Sequence, residues 1–257
     1  MYNYSIIIQE GANMRLLEEL SMNALPSLQT TLYDGWILRL ADGFTNRANS
    51  INPIYPSIKN INTKIEKCET VFKSKNLRPT YKITPFVYPE NLDRELENRG
   101  YKSIHHTSVQ TMDLSNLMEP SIHTVTTSSV FDEKWFEYYC SMNKINTDNR
   151  ITCKKIFNNI LPFKFFVSLY MDDSVIACGM AVIEEGFIGL FNITVDEKYR
   201  NQGYGMQLLA NMLKIGKFYG AKSAYLQVML DNLPALHLYE KLGFKESYQY
   251  HYRVLSG

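Results

Sequence analysis

Long apolar runs are missing from this chain of 257 residues. No stretch approaches the ~20 apolar residues that cross a bilayer. Ile6, Ile7 and Ile8 are followed at once by Gln9 and Glu10, too short a run for the core of a secretory signal. These absences predict no membrane partner and a cytoplasmic protein. Cysteine is scarce: Cys68, Cys140, Cys153 and Cys178 show no CxxC spacing, and a chain this long builds a core without stapling, so buried free thiols are expected. An excess of one charge is absent too. With 27 Lys and Arg against 26 Asp and Glu scattered along the chain, the net charge of +1 leaves no electrostatic footprint for nucleic acid. His105 and His106, adjacent on an expected strand, point to opposite faces, and His123, His237 and His251 stand alone, so no metal site is expected. Two nucleotide signatures are also lacking. There is no GxxxxGK[ST], and Gly203-Tyr-Gly-Met-Gln-Leu208 breaks GxGxxG at its last glycine, which excludes P-loop NTPases and dinucleotide dehydrogenases.

What is present centres on Phe187 to Phe244. The apolar run FIGLFNITV predicts a strand, a turn holding Arg200, Gly203 and Gly205 follows, and a helix begins at once. The first N–H groups of a helix have no internal partners, and the helix dipole adds roughly half a positive charge there. Glycines let the backbone approach a bulky anion, so this turn reads as a phosphate site. Three or four charge-assisted hydrogen bonds of about 1.5–3 kcal/mol each would hold a diphosphate without a lysine.

Strand, R-x-x-G-x-G, helix, a strand ending in Asn232, then A-x-x-x-Y-E-K-L-G-F from Ala235 to Phe244 resembles the GNAT superfamily of acetyl-CoA-dependent N-acetyltransferases, over roughly residues 122 to 257. The resemblance implies an α/β (α+β) fold with a mixed, mostly antiparallel sheet flanked by helices. It implies acetyl-CoA as co-substrate, held by Ile193, Thr194 and Val195 on a strand splayed from its neighbour, by Arg200, Asn201, Gln202, Gly203, Tyr204, Gly205 and Met206 in the loop, and by Asn232, Ala235, Leu238 and Tyr239. As plain structure, Asn232 is a helix-start residue and Tyr239 an aromatic packed on the sheet. Leu209, Met212, Leu213 and Gly216 lie at helical spacing and read as core.

The first half echoes the second. At a fixed shift of 143 residues (186 − 43), Gly43-Phe44 falls on Gly186-Phe187, Asn49 on Asn192, and Arg99-Gly100-Tyr101-Lys102 on Leu242-Gly243-Phe244-Lys245. The expected order of elements is the same: strand, turn, strand, long helix, strand, short helix, strand. Arg200, Gly203 and Gly205 meet Ser57, Asn60 and Asn62, and Tyr239 meets Leu96, so the first half reads as a degenerate GNAT-like lobe without a coenzyme site. DGWILRLADGFTNRANSINP is similar to the amino-terminal part of two-lobed bacterial GNAT proteins. Domains are expected at 1–118 and 119–257. In the first, Asn13 to Leu25 predicts a helix, Tyr33 to Leu40 a strand, and Ala41-Asp42-Gly43 a hairpin turn into a strand through Ile51. Trp36, Arg39, Arg47 and Asn49 are candidates for facing an acceptor or for holding the sheet together.

Acyl transfer to an amine requires an unprotonated nucleophile, a polarised thioester carbonyl and a proton for the departing thiolate. By the resemblance Tyr239 gives that proton, its reference pKa of ~10 lying near that of a thiol, and the backbone N–H near Val195 polarises the carbonyl. Several GNAT enzymes carry a glutamate where this chain has Gly189. Glu184 and Glu185 sit in an expected hairpin turn and read as solvated before they read as catalytic; Asp148, Asp231 and an ordered water relay are further candidates, and deprotonation is expected not to depend on one indispensable carboxylate. The function expected is acetyl transfer to a primary amine of a small molecule or peptide, by a monomer or homodimer. The alternative is a non-catalytic acyl-CoA sensor.

Overall fold

The computed structural model describes residues 2–255, with the side chains of 13–255; Ile6, Ile7 and Ile8 lie outside the described side chains. The chain runs α1 (Tyr2–Ala24), β1 (Gln29–Tyr33), β2 (Trp36–Leu40), β3 (Ser50–Asn52), α2 (Ile61–Ser74), β4 (Thr80–Ile83), α3 (Leu92–Asn98) and β5 (Tyr101–Asp113). It continues with β6 (Val125–Ser128), α4 (Glu133–Met142), α5 (Thr147–Asn158), β7 (Phe163–Met171), β8 (Ser174–Glu184), β9 (Phe187–Val195), a 3₁₀ turn (Glu197–Tyr199), α6 (Tyr204–Phe218), β10 (Ser223–Met229), α7 (Leu233–Leu242) and β11 (Lys245–Leu255). Shifting β2, β3, α2, β4, α3 and β5 by 143 lands them on β8, β9, α6, β10, α7 and β11 within a residue or two, except where β8 and β9 begin earlier and β10 ends later.

Two compact units emerge, and they are not sequential halves divided at 118. One comprises Met1–Ser108, Met229–Asp231 and Ser247–Gly257, the other Val109–Val228 and Asn232–Glu246. In the first the strand order is β1-β2-β3-β4-β11-β5, with β11 antiparallel to β4 in the register Arg253↔Tyr81 and His251↔Ile83. The chain's last strand therefore fills a place between β4 and β5, two strands of its first half. Its Tyr248, Tyr250, Tyr252 and Val254 are buried, and Arg253 clamps Asp93 with Nε at 2.7 Å and bonds the Tyr101 carbonyl at 3.3 Å. Tyr248 also donates to Glu18 Oε1 at 2.6 Å, and Lys82 Nζ pairs with Glu18 Oε2 at 2.6 Å. Glu18 is fully buried in α1 as Leu17 and Leu20 are, a charge that the apolar periodicity of this helix conceals.

Within the same unit the hairpin differs from expectation. Asp34 (φ 46) and Gly35 (φ 79) form the tight turn, with Tyr33 opposite Trp36, so that what reads as one strand is two. Ala41-Asp42-Gly43 instead opens a loop, closed by Asn49, whose Oδ1 accepts from Ala41 N–H at 2.6 Å and Gly43 N–H at 2.9 Å. Trp36 is wholly buried and Arg39 spends its guanidinium on the carbonyls of Arg47, Met22 and Leu25. These residues hold this unit's sheet and loop.

In the second unit the order is β5-β10-β9-β8-β7-β6, with β9 and β10 parallel and β6 to β9 antiparallel. Neighbouring residues of β7 serve opposite faces. Phe165, Val167 and Leu169 join Leu208, Leu209, Met212 and Leu213 of α6 in one core, while Phe166 packs on Trp135 of α4 at 4.7 Å between ring centroids. Each fully buried Leu of that stripe is worth roughly 1.5–3 kcal/mol over an exposed one. All four cysteines are buried and none is in a disulfide.

Candidate active site

The site begins with a defect in β9. Met180 pairs with Phe191 and Cys178 with Thr194, so the single residue Gly179 is opposed by both Asn192 and Ile193, a β-bulge with Asn192 at φ 55. A Cβ on Gly179 would lie 2.8 Å from both Ile193 Cδ1 and Met212 Sδ, so glycine makes the room this bulge needs. On its other edge β9 meets β10 only through Phe187, Ile188 and Gly189, and Leu190–Val195 continue beyond that ladder. Asp196 N–H bonds the Ile176 carbonyl at 2.9 Å. Strand alternation then turns the main chain of Val195 and Ile193 the opposite way, into the opening.

The chain leaves β9 through the 3₁₀ turn, which Asp196 caps by accepting from Lys198 N–H at 2.9 Å. Asn201 (φ 60) and Gly203 (φ 86) bend it into α6. The first helical bond is donated by Gln207 to the Gly203 carbonyl. The N–H groups of Tyr204, Gly205 and Met206 precede it, and glycine at the cap offers no side-chain acceptor. A Cβ on Gly203 would meet nothing within 4 Å, so the space before these donors is open. Gly205 has a different reason: its Cβ would lie 3.2 Å from Leu238 Cδ2 and 3.6 Å from Val195 Cγ2, so it lets α7 and β9 close against the first turn of α6.

These elements line one cavity of about 740 Å³. Of the residues expected at the site, Ile193, Thr194, Val195, Arg200, Asn201, Gly203, Tyr204, Gly205, Met206, Asn232, Ala235, Leu238 and Tyr239 all border it. Gln202 does not; its Nε2 folds back onto the Lys198 carbonyl at 3.0 Å. Arg200 Nε donates to the Val195 carbonyl at 3.1 Å, tying the loop to the strand end. Asn232 caps α7 by accepting from Ala235 N–H at 3.3 Å. Tyr239 is 9% exposed, packs edge-on against Phe244, and burial pushes its phenol up to about 12. Four lining residues escaped the sequence: Tyr199, Pro234, His237 and Lys241. Projecting α7 from Leu238 at helical spacing would have found Pro234 and Lys241, four residues before and three after it.

Position 189 explains the missing glutamate. A Cβ there would sit 2.6 Å from Tyr225 Cζ and 2.6 Å from Phe191 Cε2, so two rings occupy the space. Glu185 (φ 49) and Gly186 (φ 75) form the turn between β8 and β9, with Glu184 opposite Phe187. Among the described residues no group of three His, Cys, Asp or Glu is placed to hold a metal ion. His105 breaks its strand with φ 52, and His106 stacks on His251 at 5.2 Å.

The first unit's counterpart of the loop is filled from within. Asp34 accepts from the N–H groups of Ile58 (3.2 Å) and Lys59 (2.9 Å), which the shift of 143 places on Asn201 and Gln202, and its Oδ2 lies 3.2 Å from Lys64 Nζ. Asn60 caps α2 with its own side chain, accepting from Asn62 N–H at 2.9 Å.

A central strand splayed from its parallel neighbour, leading through R-x-x-G-x-G into a helix and faced by a tyrosine-bearing helix, defines an acetyltransferase of the GNAT superfamily. The chain belongs to the family described as probable histone acetyltransferase Rv0428c C-terminal, whose model matches residues 11–253. It is 27% identical over 247 residues to an uncharacterized N-acetyltransferase, YobR, of Bacillus subtilis, covering 94% of this chain and 98% of that one. In fold it is similar to a GCN5-related N-acetyltransferase from Kribbella flavida (TM-score 0.71, 16% identity, 94% and 95% of the chains). It is also similar to a tandem GNAT protein from the clavulanic acid biosynthesis pathway (TM-score 0.63, 11% identity, 92% and 86%). GNAT acetyltransferases use acetyl-CoA, and no helix among the described residues is long and apolar enough to cross a membrane.

Proposed function

We propose that this chain moves an acetyl group from acetyl-CoA to a primary amine of a small molecule or peptide, by direct transfer with both substrates bound. Acetyl-CoA, when bound, supplies the activated acyl group and a thiolate leaving group. The observation that carries the reading is the single cavity bordered by the uncapped N–H groups of α6, the open main chain of β9 and Tyr239. Tyr204, Gly205 and Met206 donate to the diphosphate, where the dipole of α6 adds to the attraction. Val195 N–H faces the acyl carbonyl, and hydrogen bonding there favours the developing negative charge. Tyr239 keeps its proton through the neutral range, because burial holds its pKa near 12, and delivers it to the departing sulfur. The first unit is assigned no coenzyme: Asp34 accepts from the N–H groups of Ile58 and Lys59, and Asn60 accepts from Asn62 N–H, the counterpart of the Gly205 donor.

Release of free thiol from acetyl-CoA over a panel of amines tests this reading. Tyr239→Phe is expected to lower kcat by about 10²-fold while acetyl-CoA affinity holds; unchanged kcat would remove Tyr239 from the chemistry. One observation favours a second reading, coenzyme binding without catalysis: Tyr225 and Phe191 shut out a carboxylate at position 189. Thermal stabilisation by acetyl-CoA with no thiol release on any amine would identify that case.

A further inference from the structure

The charged side chains bordering the cavity are Arg200 and Lys241, with the imidazole of His237 beside them and no carboxylate among the lining side chains. Arg200 belongs to the loop. His237 and Lys241 lie on the opposite wall, four residues apart on one face of α7, about 6 Å along the helix. Glu240 reaches only to 3.8 Å from His237 Nδ1, across exposed side chains. Lys241 has no ion pair among the described residues. Leu238 sits between these two, and it is the side chain that the first turn of α6 closes upon at Gly205. Through Leu238 this wall closes on the first turn of α6, so the two basic groups border the same cavity as the donors assigned to the diphosphate. A diphosphate alone is matched by α6 and Arg200. A lysine and an imidazole on the facing wall match a ligand with a second, separate phosphate.

We propose that His237 and Lys241 form a phosphomonoester subsite that holds the 3′-phosphate of coenzyme A and makes the protein discriminate against 3′-dephospho-coenzyme A. The proposal rests on the coenzyme reading above. Its recognition is electrostatic, a point charge from Lys241 and a directed N–H from His237, and no motif in this chain announces it.

Isothermal titration with coenzyme A and with 3′-dephospho-coenzyme A tests it, on the full chain and on Lys241→Gln and His237→Gln. Both substitutions lie on an exposed helix face, and glutamine keeps helix propensity close to that of lysine. The full chain is expected to bind coenzyme A about tenfold more tightly than the dephospho form, a difference of one charge-assisted contact. Lys241→Gln should erase most of that preference while leaving affinity for the dephospho form unchanged, and His237→Gln should erase part of it. Equal affinity of the full chain for both ligands would overturn the subsite, as would a Lys241→Gln variant that weakens both ligands alike. If neither ligand binds, the coenzyme reading itself fails.

Discussion

A glutamate at position 189 would have nowhere to go. Glycine there is imposed by the Tyr225 and Phe191 rings, both 2.6 Å from where a Cβ would stand. Gly189→Glu is therefore expected to cost roughly 1–3 kcal/mol by overpacking, read as a lowered urea midpoint, and to add no activity. Tyr225→Ala in the same background should recover part of the loss; a Gly189→Glu protein as stable as the parent would show that the rings yield. Tyr239 carries a pH prediction. Its pKa is raised from 10.0 to about 12, so the protonated form that the proposed role requires persists across the neutral and mildly alkaline range. The pH profile of kcat should show no descending limb from this phenol below pH 10, whereas such a limb abolished by Tyr239→Phe would contradict its burial. Residue types announced the loop glycines and Tyr239, because a motif fixes their spacing. They did not announce His237 or Lys241, whose meaning depends on which face of α7 borders the cavity.

Among the elements, β9 was the most legible. FIGLFNITV is a continuous apolar run bounded by Gly186 and a charged loop, and it forms β9 with those bounds. The hairpin of β1 and β2 was not, although Asp34-Gly35 is a strong turn signal. Two Asp-Gly pairs stand eight residues apart, and local sequence cannot say which one closes the hairpin. The choice is made at a distance, where Asp34 bonds the N–H groups of Ile58 and Lys59 and a Cβ on Gly35 would stand 2.2 Å from the Pro56 carbonyl oxygen. Helix α1 has the same lesson. Its Leu17 and Leu20 predict a buried face, yet Glu18 is buried as well, and its charge is matched by Lys82 on β4 and Tyr248 on β11. Breaking one side of a buried pair leaves an uncompensated charge, so Lys82→Met should destabilise the protein by about 3–5 kcal/mol. A chemical denaturation curve checks this. Replacing Glu18 and Lys82 together with apolar residues should cost less than Lys82→Met alone, and equal costs would mean the pair is not coupled.

For the whole molecule, the repeat was visible in sequence, but the way its strands are shared was not. The chain's last strand completes the first unit between β4 and β5, while β5 leaves that unit at Ser108 and gives Val109–Asp113 to the second. Strand partners separated by more than 150 residues leave no local trace in composition or period. Removing residues 247–257 should therefore unfold the first unit first, by exposing the Tyr81 and Ile83 edge of β4 and freeing Asp93 from Arg253. Amide exchange would show protection lost in β2, β3 and β4; protection kept there would refute the shared strand.

The account as a whole turns on main-chain donors at the start of α6, in front of a glycine held at φ 86. Isothermal titration of acetyl-CoA against the parent protein and Gly203→Ala tests it most directly, with a thermal melt as the check on folding. An alanine at that φ is strained by roughly 1–2 kcal/mol, and its methyl would enter the open space proposed for the phosphates. The account predicts a loss of about tenfold or more in affinity in a variant that still melts cooperatively. Undiminished affinity in such a variant would contradict it.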